Sequence, residues 1–398
     1  MFHHNSPHVI LFSGKEVSLM RKHPWIFSGA ISKKSEQLSD GDLVSVFSKN
    51  LVYLGFGHYH DGSISVRMLS IGPENYAHEF WNQKMSLAWS LRKNLNLVGN
   101  VSTDCFRWIH GEGDGLSGLI IDVYGDIAVI QCHSIGMHRM LDTLIEEIKR
   151  IASDNIHHII DKSKETLPRD YSANLEDKIV FGNKNITQVI ENNIHFEIDC
   201  LEGQKTGFFL DQRENRFLLG MLAKDAEILN AFCYTGGFSL YALQHKAKKV
   251  CSVDISTKAL DNLKDNVELN PAYSGLHEIV KADVINYLKL MDSGSFDIIV
   301  LDPPAFAKSL NKRHNAIQAY KRINLDAIKK IRFGGFLFTF SCSQVVTEDI
   351  FYKTVYSAAI ESGRNVSVLK KLSQGQDHPV SMFHQEGSYL KGLLLQVQ

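Results

Sequence analysis

Nowhere in the 398 residues does an apolar run approach the ~20 residues that a membrane-crossing helix needs, so no such helix is expected. The opening MFHHNSPHVILFSGKEVSL has neither the basic start nor the continuous apolar stretch of a secretory signal. Cysteine is sparse: Cys105, Cys132, Cys200, Cys233, Cys251 and Cys342 are scattered, without a CxxC pair or a Cys/His metal spacing. That argues against a disulfide framework and against a structural zinc site. Net charge is missing too, at -1 overall, so the chain is not a uniformly basic nucleic-acid binder. The loop FCYTGGFS, which follows the strand EILNAF, is not a GxGxxG fingerprint, which argues against a nicotinamide or flavin enzyme. These absences leave a soluble cytoplasmic protein with reduced thiols, no metal and no membrane partner.

What is present is globular composition, 44% hydrophobic and 22% charged, with no repeat or low-complexity tract. DLVSVFSKN, YLGFGHYH and SISVRMLS, broken by turn signals, read as short strands and predict a small barrel or sandwich over residues 1–75. A central segment, 76–192, opens with a helix from about Tyr76 to Asn96. It continues with a strand pair turning at Tyr124-Gly125-Asp126, the amphipathic MLDTLIEEIKRIAS and the strand IHHIIDKS, an α+β pattern. From 193 to 398 strands alternate with helices. EILNAF, KKVCSVD, HEIVKAD, FDIIVLD, GGFLFTFSC and LKGLLLQV predict a mostly parallel, Rossmann-like α/β sheet covered on both faces. Ligands of such sheets bind beyond the carboxyl ends of the strands.

The strand ends carry the chemistry. EILNAF runs into Gly236 and Gly237, which let the backbone turn tightly before a helix N-terminus. Asp254 ends the second strand and suits two ribose hydroxyls; Asp283 ends the third and could reach an adenine. Each acid could equally be a helix cap. Asp302, ahead of the stiff Pro303-Pro304, could steady a flat base. Cys342 ends the fifth strand. A buried, inert thiol is one reading; a nucleophile for carbon 6 of a pyrimidine, which would activate carbon 5 toward a methyl donor, is the other. Between Ala305 and Arg332, eight Lys or Arg face one acid, Asp326, as a solvated helix face or as an RNA contact; Lys308, Lys312, Arg313, Lys321 and Arg322 are the candidates.

In order, GQKTGFFLDQRENR, LNAFCYTGGFSLYAL, VDIS, LDPPAFAKS and SCSQ resemble the PUA-domain-containing 23S rRNA cytosine-C5 methyltransferases, and RKHPWIFSGAI resembles that family's RNA-binding PUA barrel. The resemblance spans essentially the whole chain. It implies a class I fold, S-adenosylmethionine as cofactor, large-subunit ribosomal RNA as partner and a possible homodimer. It implies that Gln212 and Arg213 bind the cofactor, with Arg213 suited to its carboxylate. Phe232, Tyr234, Thr235, Gly236 and Gly237 would line the same pocket, together with Asp254, Ile255, Asp283 and Asp302. Cys342 and Asp302 would be catalytic, and Lys22 and Trp25 would touch RNA. The second cysteine that other RNA cytosine methyltransferases carry beside the Pro-Pro ledge is absent. Methylation of an exocyclic base nitrogen and an inactive RNA-binding factor are the competing readings.

Overall fold

Residues 6–73, 76–77, 79–271 and 276–398 are described by a computed structural model, in which the chain divides into two units. Residues 1–5, 74 and 75 of the expected first domain, and 78 of the expected first helix, lie outside the described residues.

The first unit comprises Met1–Ile190, Ile198–Leu210 and Gln376–Gly387. Leu43–Phe47 buries Val44 and Val46 and leaves Leu43, Ser45 and Phe47 half-exposed, the period-two pattern of a half-buried strand. It joins Tyr53–Tyr59 and Ile64–Ile71 in a six-stranded sheet around Val9, Leu11, Ile26 and Val66. Three further strands of the sheet, His8–Leu11, Trp25–Phe27 and Ile31–Lys34, are too short for the sequence to display alternation. A five-stranded sheet, ordered 178–181, 158–161, 127–132, 119–124, 105–110, shares a core with the helix Phe80–Asn94. Trp81, Met85, Trp108 and Ile121 lie at its centre.

Buried charges pin the returning segment Gln376–Gly387 into this unit. Arg92, wholly buried, forks onto Asp114 and donates from Nη2 to the Asp377 carbonyl at 2.8 Å. The Arg107 amide donates to Asp377 Oδ2 at 2.9 Å, and the Arg107 side chain grips Asp122 at 2.7 and 2.8 Å. At Gly113 a Cβ would run into the Pro379 carbonyl, so only glycine fits there.

The second unit comprises Glu191–Glu197, Asp211–Gly375 and Ser388–Gln398. Its strands are β1 (Glu227–Ala231), β2 (Lys249–Asp254), β3 (Leu276–Lys281), β4 (Ile298–Leu301), β5 (Gly335–Ser341), β6 (Val366–Leu372) and β7 (Lys391–Val397). The helices are α1 (Arg213–Leu222), α2 (Gly237–Gln244), α3 (Thr257–Glu268), α4 (Val284–Leu290), α5 (Arg313–Lys330) and α6 (Glu348–Ser362). Sheet order is β3-β2-β1-β4-β5-β7-β6. The parallel strand β4 is apolar throughout and wholly buried, and β1 is buried from Ile228 to Ala231, because helices cover both faces. Only β7 is reversed, pairing antiparallel with both β5 and β6. Strand β6, which the sequence did not suggest, is an edge with five exposed residues in seven. Strand order reverses between β1 and β4, and the carboxyl ends there open the crevice where a ligand fits.

Candidate active site

The turn after β1 is held under strain. Phe232 and Tyr234 adopt φ of +62° and +49°, unusual for residues with a Cβ, and Gly236 follows at +86°. A side chain at Gly236 would strike Leu263 Cδ1. Hydrogen bonds hold the turn from several sides: Cys233 N to Val253 O at 3.1 Å, Tyr234 N to Asp254 Oδ2 at 3.0 Å, and Asn266 Nδ2 to Thr235 O at 3.1 Å. Asp254 thus orients the turn with one oxygen while the other accepts from Ser256 N at 2.9 Å. It is not a helix cap, because Ser256 caps α3. Ile255 beside it is exposed. The Thr235 hydroxyl is buried and meets no hydrogen-bond partner among the described residues. A strained turn, a carboxylate, an exposed apolar face and an unmet hydroxyl suit the sugar, base and polar tail of a nucleoside cofactor.

Asp283 caps α4, its Oδ1 accepting from Asn286 N at 2.9 Å. That is the capping alternative, so an adenine contact would have to come from its other oxygen.

Beyond the switch, β4 and β5 run parallel with Leu301 opposite Thr339, so Asp302 and Cys342 emerge from neighbouring strands. Asp302 is half-buried, Pro303 buried and Pro304 exposed. The two strand-end loops are tied together by Ser343 Oγ, which donates to the Ala307 carbonyl at 2.6 Å. Phe306 packs on Tyr320 at 4.7 Å and against Phe232 at 6.5 Å. Burial holds the Tyr320 phenol in its protonated form, reinforced by Cys342 and Asp302 whenever they are charged. Five cysteines are buried; Cys342 is the exception. Burial pushes the Cys233 and Cys251 thiols up, away from the reactive thiolate.

Gln212 and Arg213 sit at the start of α1. Gln212 Oε1 accepts from Asn215 Nδ2 at 2.7 Å. Arg213 is not presented as an open anion receptor: its Nε lies 3.3 Å from Glu191 Oε2. Arg216 forks onto the same carboxylate, with both contacts at 2.8 Å, and Tyr241 donates to it at 3.0 Å. Nothing in the local sequence announces Glu191 as the shared counter-ion of two arginines.

The basic run divides. Lys308, Lys312, Arg313 and Arg322 are exposed. Lys321 pairs with Glu361 at 2.7 Å, Lys330 donates to the Lys289 and Met291 carbonyls, and Arg332 pairs with Glu227 and Asp297. These three serve the fold, and Lys321 is a weaker candidate for RNA than its sequence position suggested. Lys22 and Trp25 belong to the first unit, not to this site. Trp25 donates to Glu112 at 2.9 Å and packs on His384 at 4.3 Å; Lys22 lies over the Phe383 ring at 5.2 Å. The one metal-capable group among the described residues, His23, His384 and Glu386, is in that unit also. Its exposed carboxylate lies 3.0 Å from His384 Nδ1, an ordinary imidazole–carboxylate distance.

The S-adenosylmethionine-dependent methyltransferase family matches residues 135–374, and a PUA-like domain matches 9–71. The chain is 37% identical to a protein of Alteromonas mediterranea named ribosomal RNA large subunit methyltransferase I, over 98% of this chain and 99% of that one. A protein of Escherichia coli with the same name is 35% identical, over 98% and 100%. Among solved structures, a protein of Streptococcus mutans described as a SAM-dependent methyltransferase aligns with a TM-score of 0.83, 98% of this chain on 100% of that one, at 21% identity. That likeness shows the fold. The same figures hold for a methyltransferase structure complexed with SAH. No helix among the described residues is long and apolar enough to cross a membrane.

Proposed function

This chain belongs to the S-adenosylmethionine-dependent methyltransferase family, and from that premise we propose that it methylates carbon 5 of a cytosine in large-subunit ribosomal RNA through a covalent bond from Cys342. The cofactor, when bound, supplies an electrophilic methyl group. The residues that would hold it are those of the strained turn, Phe232 to Gly237, with Asp254, Ile255, Asp283, Asp302, Gln212 and Arg213.

One observation carries the cytosine reading. Of six cysteines only Cys342 escapes burial, and it leaves β5 beside the strand that ends in Asp302. Carbon 5 of cytosine is a poor nucleophile. Addition of the Cys342 thiolate to carbon 6 breaks the 5,6 double bond and shifts its electrons to carbon 5, which can then take the methyl group. Loss of the carbon 5 proton re-forms the double bond and expels the sulfur. Asp302 would hydrogen-bond the edge of the ring during these steps. The RNA reading is supported by the amino end of α5, where Lys312 and Arg313 gather with no acid in the first turn. Positive side chains at the positive end of a helix repel the helix dipole, and a phosphate offsets both charges. Lys22 and Trp25 on the PUA-like domain would add a second contact.

RNA carrying 5-fluorocytosine tests the chemistry, because fluorine cannot leave as the proton does and the enzyme stays attached. A covalent adduct that survives denaturing electrophoresis is expected, and none with Cys342→Ala, whose methylation rate should fall at least about a thousandfold. Undiminished methylation by Cys342→Ala would move the reaction to an exocyclic nitrogen.

A further inference from the structure

Strand β7 brings a lysine to the cysteine turn. The antiparallel register of β5 and β7 sets Lys391 opposite Ser341, one residue before Cys342. Lys391 is only 6% exposed, an expensive position for an ammonium. Its Nζ donates to the Ser343 carbonyl at 2.7 Å, so the ammonium is tied to the backbone one residue past Cys342. Among the described residues no carboxylate forms an ion pair with it. Glu348, which lines the same hollow from α6, is committed to Lys371 at 2.8 Å.

We propose that Lys391 is a positioning residue for Cys342: its ammonium faces the sulfur from β7 and holds it as a thiolate. A buried ammonium without a carboxylate needs a counter-charge, and the turn it grips carries the chain's one accessible thiol. The other titratable groups around the thiol are Tyr320 on α5, which is kept neutral by burial and interacts with Cys342, and Asp302 just after β4, which interacts with Tyr320. An anionic Asp302 opposes the thiolate, which makes a local cation more necessary. Burial pulls the Lys391 ammonium down to about 8, and a charged Cys342 pulls it back up. The coupling is mutual, so the thiolate gains what the ammonium gains. That the thiolate then adds to carbon 6 of a pyrimidine rests on the cytosine reading; that Lys391 sets its protonation does not.

The protein alone supplies the test, because burial shields the other five thiols from iodoacetamide. The rate of Cys342 carboxamidomethylation, followed against pH by intact mass, should have its midpoint at least one pH unit below the ~8.5 of an unassisted thiol. In Lys391→Met the midpoint should return to that value or above, slowing alkylation at pH 7 about tenfold or more, and Lys391→Arg should restore the low midpoint. A midpoint near 8.5 in the unaltered protein overturns the proposal, and this measurement needs no variant to fold. So does an unchanged midpoint in a folded Lys391→Met. A lowered midpoint without any adduct on 5-fluorocytosine RNA would sustain the lysine's role while removing the cytosine reading.

Discussion

Gly236 and Glu191 show how single residues hold the methyltransferase unit in order. At Gly236 a left-handed φ coincides with a methyl group of Leu263 where Cβ would stand. Gly236→Ala should therefore cost roughly 1–3 kcal/mol of stability in urea unfolding, and weaken S-adenosylmethionine binding measured by calorimetry. Glu191 lies wholly buried between two guanidiniums. Glu191→Ala strands both, and about 3–5 kcal/mol of stability should be lost, whereas Glu191→Gln should lose less by keeping one acceptor oxygen for Arg216 Nε and the Tyr241 hydroxyl. At this scale the sequence was most legible where chemistry follows directly upon a strand. Asp254 and Cys342 could be placed because an apolar run ends just before each. Arg213 could be placed but not its partner, since no local pattern tells an open guanidinium from one already paired. Lys391 was invisible: 49 positions separate it from Cys342, and only the antiparallel register brings them together.

Among the elements, α5 carries the RNA prediction. Replacing Lys308, Lys312, Arg313 and Arg322 together by Gln should weaken RNA binding and flatten its dependence on salt, while cofactor affinity stays unchanged. Each lost phosphate contact should reduce the slope of log K against log salt by about 0.7–0.9. Lys321→Gln should alter the slope little, because Glu361 already neutralises it. An unchanged slope in the fourfold variant would make the run an ordinary solvated face. Charge in a sequence is visible, but its partners on other elements are not, which is why eight basic residues looked like one patch. Strand β6 escaped for a related reason. Paired on one side only, with Lys370 and Lys371 outward, it shows no apolar alternation and reads as a loop. The parallel strands, apolar on both faces, were far easier to see.

On the scale of the whole molecule, buried imidazoles set the response to acid. Burial holds His58 at about 4 and His110 well below its ordinary value, with neighbouring arginines adding to the effect at both, and desolvation lowers the half-buried His277 to about 4. Unfolded, each would take a proton near 6.5. Between pH 6.5 and 4 the unfolded chain thus binds more protons than the folded one, so stability is full above 6.5 and falls as pH drops toward 4. For each imidazole, every pH unit separating its folded from its unfolded titration is worth about 1.4 kcal/mol, and urea midpoints should decline steadily over that window. His58→Gln should make the decline shallower; a midpoint flat from 6.5 to 4 would count against the buried neutral state.

Asp377 receives Arg92 and the Arg107 amide inside the first unit, yet it lies beyond nearly all of the second unit in the chain. On the ribosome, where the chain emerges from its amino end, a nascent protein stopped after Gly375 leaves Arg92 with Asp114 alone and the Arg107 amide without its acceptor. The part translated first must therefore wait, incompletely closed, while the catalytic sheet is still being made. Its final seal arrives with a twelve-residue loop, Gln376–Gly387, delivered just before the last strand.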